Sequence, residues 1–296
     1  WLEVGHAVNR VKWGIWDFDE YRRLLEAMVP VARQYPSLRV AGPAVIDFEY
    51  AFLAGALGSV PPGLRFSALS HHLYVDRRGA PENYQGIFAS LDKFALARAI
   101  ARCSKVCEDR VVISEVSWPL KGTGVFSPVA SPYESPSPRH DDPSVSEDDY
   151  ADYMLRYLLI ALCSGLVDRV YWWRLVARGF GLVDDTDPDR WRERPAYSML
   201  RYFLGALGQA TFVQKVEARE GLSARDLPRA EGVHLFMFRR PDGGKIAAAY
   251  SSSGDLELAL PFEYEQVRDA FGRSKAINPD RRTISLSGRP VYVWAR

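Results

Sequence analysis

The chain has 296 residues, a length that at about 100–200 residues per domain allows one large domain or a large and a small one. Apolar residues make up 47% and charged residues 25% of it, enough to build a core and too apolar for a disordered chain. With 38 basic against 37 acidic residues the net charge is +1, so no broad field draws in nucleic acid or an anionic bilayer.

Position 1 is Trp rather than Met, and the sequence opens inside a strand pattern, Trp1 to Gly5. The expectation is that the native start, and any targeting signal with it, precedes Trp1. From there to about residue 207, short apolar runs alternate with longer amphipathic ones. Strands are expected at Leu38–Ile46, Phe66–Tyr74, Val111–Val116 and Arg169–Leu175. Helices are expected at Phe18–Gln34, Glu49–Leu57, Ile87–Cys107, Glu147–Ser164 and Pro195–Leu207. Pro195 suits a first helical position, and Glu147, Asp148 and Asp149 suit a first turn next to the helix dipole. Alternating βα units imply a parallel sheet, doubly wound or closed into a barrel. There is no GxGxxG and no GxxxxGK[ST], so nothing supports a nucleotide cofactor.

Past Gly208 the pattern changes to short strands with turns between them: Thr211–Glu217, Val233–Arg239, Lys245–Tyr250, Leu256–Leu260, Thr283–Leu286 and Val291–Trp294. Pro241-Asp242-Gly243-Gly244 marks a hairpin. The reading is two domains, residues 1–207 of βα type and a small β-domain at 208–296. The Pro/Ser-rich stretch from Gly122 to Asp149, with Phe126-Ser127-Pro128 and Ser135-Pro136-Ser137-Pro138, follows a strand end. It is a loop shaping a binding cleft or an insertion without a role.

Cys103, Cys107 and Cys163 cannot all pair, and none has metal-ligand spacing, which reads as buried thiols and favours a reducing compartment such as the cytoplasm. The longest apolar run, near Leu158 to Val167, is about half the ~20 residues a bilayer span needs.

Chemistry concentrates at strand ends. Glu115 closes the apolar run Val111-Val112-Ile113-Ser114 and is followed by Val116-Ser117-Trp118-Pro119. A carboxylate there is either catalytic or part of a structural ion pair. His71, His72 and Tyr74 end the preceding strand. Alternation puts His72 and Tyr74 on one face, to hydrogen-bond a carboxylate or polar ligand, and His71 on the other. No HxH or HxxxH spacing suggests a metal. Tyr171-Trp172-Trp173-Arg174 ends the last strand, where a Trp face stacks on a sugar or packs in the core.

In this order the three strand ends resemble the retaining glycoside hydrolases of clan A, especially the family 39 group of β-xylosidase-like and exopolysaccharide-cleaving enzymes. Ile113-Ser114-Glu115-Val116-Ser117-Trp118-Pro119 is similar to the strand-seven nucleophile motif, Ser70-His71-His72-Leu73-Tyr74 to strand six and Val170-Tyr171-Trp172-Trp173 to strand eight. Asp269-Ala270-Phe271-Gly272 and Leu286-Ser287-Gly288-Arg289-Pro290-Val291-Tyr292 are similar to the β-domain that follows the barrel. The resemblance implies a (β/α)8 barrel with a small C-terminal β-sandwich-like domain, a carbohydrate substrate and no cofactor. It implies Glu115 as nucleophile, and His72, Tyr74, Trp118, Trp172, Trp173 and Asn9 as substrate-binding residues.

Two departures go with it. Glu3-Val4-Gly5-His6-Ala7-Val8-Asn9 falls on the strand-four motif, where an Asn-Glu-Pro triplet supplies the general acid/base. Here the triplet reads His6-Ala7-Val8. Retaining hydrolysis needs a second carboxyl about 5–5.5 Å from the nucleophile, so the substitutes are His6 as proton donor or Glu3, two strand steps from Ala7 on the same face. Second, if Trp1 to Gly5 is strand four, strands one to three are not in the sequence. The expectations are a glycosidase using Glu115, or a carbohydrate-binding relative without turnover.

Overall fold

The computed structural model describes residues 1–125, 142–216 and 232–296. Phe126-Ser127-Pro128, Ser135-Pro136-Ser137-Pro138 and Glu217 lie outside the described residues, and with them the centre of the loop assigned to a binding cleft. The described chain forms two compact units, Trp1–Ser146 with Ile160–Pro188, and Glu147–Leu159 with Asp189–Arg296.

The first unit is built on a curled, five-stranded parallel sheet in chain order: β1 (Leu2–Glu3), β2 (Val40–Ile46), β3 (Ala68–His72), β4 (Val111–Val116) and β5 (Arg169–Trp172). β2, β3 and β4 are buried almost end to end. This is why they read as continuous Val/Ala/Ile/Leu runs rather than as an alternating pattern. The helices are α1 (Phe18–Gln34), α2 (Tyr50–Gly58) and α3 (Ser90–Ser104). Asp17 caps α1 by accepting from the Glu20 amide at 2.8 Å. Tyr21 and Leu25 turn its apolar face inward, and the Tyr21 hydroxyl donates to the Val4 carbonyl at 3.2 Å. α2 packs on β2, and α3 on β3 and β4. β1 is shorter than the Trp1–Gly5 run implied, because Gly5 adopts a left-handed conformation (φ +100°). A Cβ there would lie 2.6 Å from Val8 Cγ1 and 3.2 Å from the Pro43 carbonyl, so only glycine can turn the chain at this point.

A fourth helix, α4 (Glu147–Leu162), starts in the second unit and ends in the first. Two short strands, β6 (Val183–Asp184) and β7 (Arg192–Glu193), carry no apolar periodicity and had no sequence signal. α5 (Pro195–Leu207) has Pro195 in its first turn, as expected.

In the second unit, β8 (Thr211–Lys215), β9 (Val233–Arg239), β10 (Lys245–Ser251), β12 (Tyr264–Arg268) and β14 (Val291–Ala295) form an antiparallel sheet ordered β12-β14-β10-β9-β8. β11 (Leu256–Ala259) and β13 (Thr283–Leu286) form a two-stranded sheet. Val233, Leu235, Ala247, Ala249 and Val293 of the larger sheet share one core with Leu258, Ile284 and Leu286 of the smaller, which is sandwich packing. The hairpin at Pro241-Asp242-Gly243-Gly244 joins β9 to β10, with Gly243 at φ +84°. The sequence reading missed β12, whose Tyr-Glu-Gln-Val-Arg pattern interrupts its apolar positions with charge.

The three cysteines are free. Cys107 is buried, but Cys163 is half-buried and Cys103 exposed, so the expectation of three buried thiols is corrected for these two. α3 has a narrow buried stripe, and Cys103 lies off it. No helix among the described residues is long and apolar enough to cross a membrane.

In the second unit, Glu147 accepts from Arg192 at 2.5 and 3.0 Å and from Arg194 at 3.0 Å. Arg194 is almost completely buried. The Arg192 hydrogen bonds, opposed by partial burial, hold the Glu147 carboxyl below its ordinary value of 4.5. A carboxyl with a lowered folded pKa stabilises the fold above its unfolded pKa and loses that contribution as pH falls through the folded value. Glu147→Gln is therefore expected to lower Tm at pH 7, with the gap to the parent narrowing as pH falls below 4.5, read by thermal melts across a pH series.

Candidate active site

The C-terminal ends of β1, β3 and β4 bring together Glu3, His72, Tyr74 and Glu115. Glu115 lies second from the end of β4 and is 6% exposed. Burial of that degree makes a carboxylate costly unless it is hydrogen-bonded. The Tyr74 hydroxyl donates to its Oε1 at 2.6 Å, and His72 Nδ1 faces its Oε2 at 3.9 Å. On the other side of the same imidazole, His72 Nε2 lies 3.3 Å from Glu3 Oε1. One buried ring thus stands between two carboxylates.

Parallel pairing explains the assembly. Glu3 pairs with Ala41, Ala41 with Ala68, and Leu69, Ser70 and His71 with Val111, Val112 and Ile113. His72 and Tyr74 share a face, and the alternation sends His71 elsewhere. His71 Nε2 lies 2.7 Å from the Asp47 carbonyl, and burial pushes its imidazole down to about 4, so it is neutral at pH 7. Burial, with the Glu115 charge beside it, raises the Tyr74 phenol well above its ordinary value, which keeps its proton available for donation. The Arg78 guanidinium lies 3.9 Å over the Tyr74 ring and 3.3 Å from Asp47, fixing the ring from behind.

Burial alone would raise the Glu3 carboxyl, but His72 and the Ser114 and Ser70 hydroxyls beside it hold it below its ordinary value. His6 packs against His72 at 4.8 Å with the rings tilted at 59°, and edge-on against Trp13 at 4.4 Å. Burial, with His72 next, lowers its imidazole below 6.5 despite the nearby Glu115 and Glu3 charges. Ala7 is 1% exposed at φ 45°. The left-handed turn at Gly5 ends the strand, so the period-two argument that set Glu3 and Ala7 on one face does not hold. The turn instead carries His6 to His72.

The remaining candidates separate. The Asn9 amide donates to the Ile46 carbonyl and accepts from the Ile46 amide, each at 2.9 Å. Its polar atoms thus clip the turn to β2. Trp118 is fully buried, stacks at 5.7 Å on Trp172 and donates from Nε1 to the Gly79 carbonyl at 2.9 Å. It is a core residue with no face open to a sugar. Trp172 and Trp173 are half-buried, and the Trp173 indole N–H has no hydrogen-bond partner among the described residues. The same holds for His72 Nδ1 and Trp13 Nε1. Trp13 had no sequence signal, because it lies outside every strand-end motif.

No protein-family model and no curated protein sequence matches the chain. Solved structures do. A family 39 glycoside hydrolase from Bacteroides cellulosilyticus WH2 superposes with a TM-score of 0.63 at 16% identity, over 93% of this chain and 55% of that one. The fold is that of the clan A glycoside hydrolases. An α-L-arabinofuranosidase from Thermotoga maritima gives a TM-score of 0.58 at 13% identity, covering 99% of this chain and 65% of its own. A family 39 enzyme from Xanthomonas axonopodis pv. citri gives 0.53 at 17%, covering 99% and 67%. The chain spans about half to two thirds of the length of these clan A structures, and its curled parallel sheet is a half-barrel by comparison with their (β/α)8 barrels.

Tyr74→Phe removes the only hydroxyl donor to Glu115 Oε1 among the described residues. It is expected to cost about 1.5–3 kcal/mol, the scale of a hydrogen bond to a charged group, measured by urea denaturation at pH 7.

Proposed function

We propose that the chain is a glycoside hydrolase-type protein acting on a poly- or oligosaccharide, with Glu115 as nucleophile in a retaining-type site. The observation that carries this is the Glu115 carboxylate, buried at the end of β4 and oriented by the Tyr74 hydroxyl at 2.6 Å. A carboxylate oxygen fixed in this way attacks the anomeric carbon as the glycosidic C–O bond breaks. Water then attacks the same carbon, releasing Glu115 and giving up a proton to a base. Trp172 or Trp173 offers the aromatic face for the sugar ring.

The proton side of the reaction is weaker. Glu3, with its carboxyl lowered, is ionised at neutral pH, and His6, with its imidazole lowered, is neutral there. Neither holds a proton to give a departing alcohol at pH 7, whereas neutral His6 can take one from water. The expected enzyme is therefore selective for leaving groups that need no protonation. Aryl glycosides of strongly acidic phenols turn over and label Glu115 covalently, as mass spectrometry of the trapped adduct would read, and Glu115→Gln abolishes both. Equal turnover by the two forms rejects the assignment.

Ala7 favours a second reading, sugar binding with no turnover at all, because a buried methyl stands where the resemblance calls for the acid/base. Calorimetry beside a hydrolysis assay separates the two. Under the first reading, Ala7→Glu raises release of reducing sugar from unactivated substrate by about 10²–10⁴-fold, the usual contribution of general acid/base assistance. Under the second, saccharide binds to parent and Glu115→Gln alike and no substrate turns over.

A further inference from the structure

We propose that Glu3, His6 and His72 form a binding site for a divalent transition-metal ion of the zinc class. One donor atom from each of these three residues lies within 4.8 Å of the other two. The residues come from the end of β1, the turn after it and the end of β3, so no sequence spacing announces the set.

The donor chemistry selects the ion. Two imidazoles and one carboxylate are the three-ligand complement of open zinc sites, whereas calcium and magnesium take six or more oxygens. Two donors held roughly 2.0–2.2 Å from a tetrahedral ion stand about 3.3–3.6 Å apart, and His72 Nε2 and Glu3 Oε1 are 3.3 Å apart. His6 is half-buried on the turn after Gly5, and closing the wider edges requires a shift of its ring by about the difference between those spacings.

The orientation of the His72 ring is the second argument. Its Nε2 lies 3.3 Å from Glu3 Oε1 and its Nδ1 faces Glu115 Oε2 at 3.9 Å. An ion held on Nε2 leaves Nδ1 turned toward Glu115. That is the carboxylate–histidine–metal arrangement in which an outer carboxylate orients a ligating ring. This site does not rest on the carbohydrate reading, since it is defined by three donors and not by a sugar.

The test is a titration of the full, chelator-stripped chain with Co²⁺, followed by visible absorption, then displacement by Zn²⁺. The expected result is one Co²⁺ per chain with the intense bands of a four-coordinate ion, lost on adding Zn²⁺. His6→Ala and Glu3→Gln should each weaken binding by more than the roughly 10–100-fold that loss of an outer partner costs, while His234→Gln, in the other unit, binds like the parent. Circular dichroism of each variant confirms that it is folded. Zn²⁺ should also raise Tm of the parent and not of His6→Ala, a readout independent of colour. Absence of a saturable site in the parent, or equal affinity in His6→Ala, overturns the proposal. Because no saccharide is present, failure of the hydrolase reading leaves this result unaffected.

Discussion

The site depends on one imidazole with a carboxylate at each of its nitrogens. His72 is buried to 1% exposure, with Glu3 at 3.3 Å from Nε2 and Glu115 at 3.9 Å from Nδ1. Two negative charges on either side of one ring repel, and the burial of Glu115 strengthens the repulsion. What offsets it is directional: the Tyr74 hydroxyl on Glu115 and the His72 ring on Glu3. Each partner is placed by the parallel sheet, so the electrostatics of the site follow from strand register.

The turn that follows β1 decides what kind of chemistry this arrangement can do. Gly5 can take its left-handed conformation only because it has no side chain, and the Asn9 amide then pins the turn to Ile46 from both sides. The result points His6 at His72 and buries the Ala7 methyl. The buried Glu115 carboxylate thus faces a cluster of nitrogen and oxygen donors, Glu3, His6 and His72, and no carboxyl at position 7. Such a cluster is poor at giving up a proton at neutral pH and well suited to holding one positive charge. The two proposals are thus two consequences of one local backbone geometry.

Much of this was legible in the sequence. The run Val111-Val112-Ile113-Ser114-Glu115 places an acid at the end of an inner strand whatever the exact fold, because such a run is stable only when covered on both faces. The separation of His71 from His72 and Tyr74 follows from alternation alone. Other features were not legible. Trp118 and Trp172 look alike as residues beside a strand end, and whether one is a platform or a wall depends on what stacks against it. Asn9 has the polarity of a ligand, and only the position of the Ile46 peptide shows that its amide is already engaged. The strand break at Gly5 defeats a period-two argument that was sound for any unbroken strand.

By itself the sequence determined the βα rhythm, the change to short antiparallel strands after residue 208, the position of Glu115 at a strand end and the absence of a carboxyl at position 7. These are local properties, written in periodicity and residue type over a few neighbours. Only the tertiary structure decided that Glu3, His6 and His72 meet, that Tyr74 is bonded to Glu115, that the Asn9 amide is bonded to Ile46 and that Trp118 is buried. Those facts depend on the register between strands whose paired residues lie 26 to 42 positions apart in the chain. A shift of one residue in that register would turn every side chain to the opposite face.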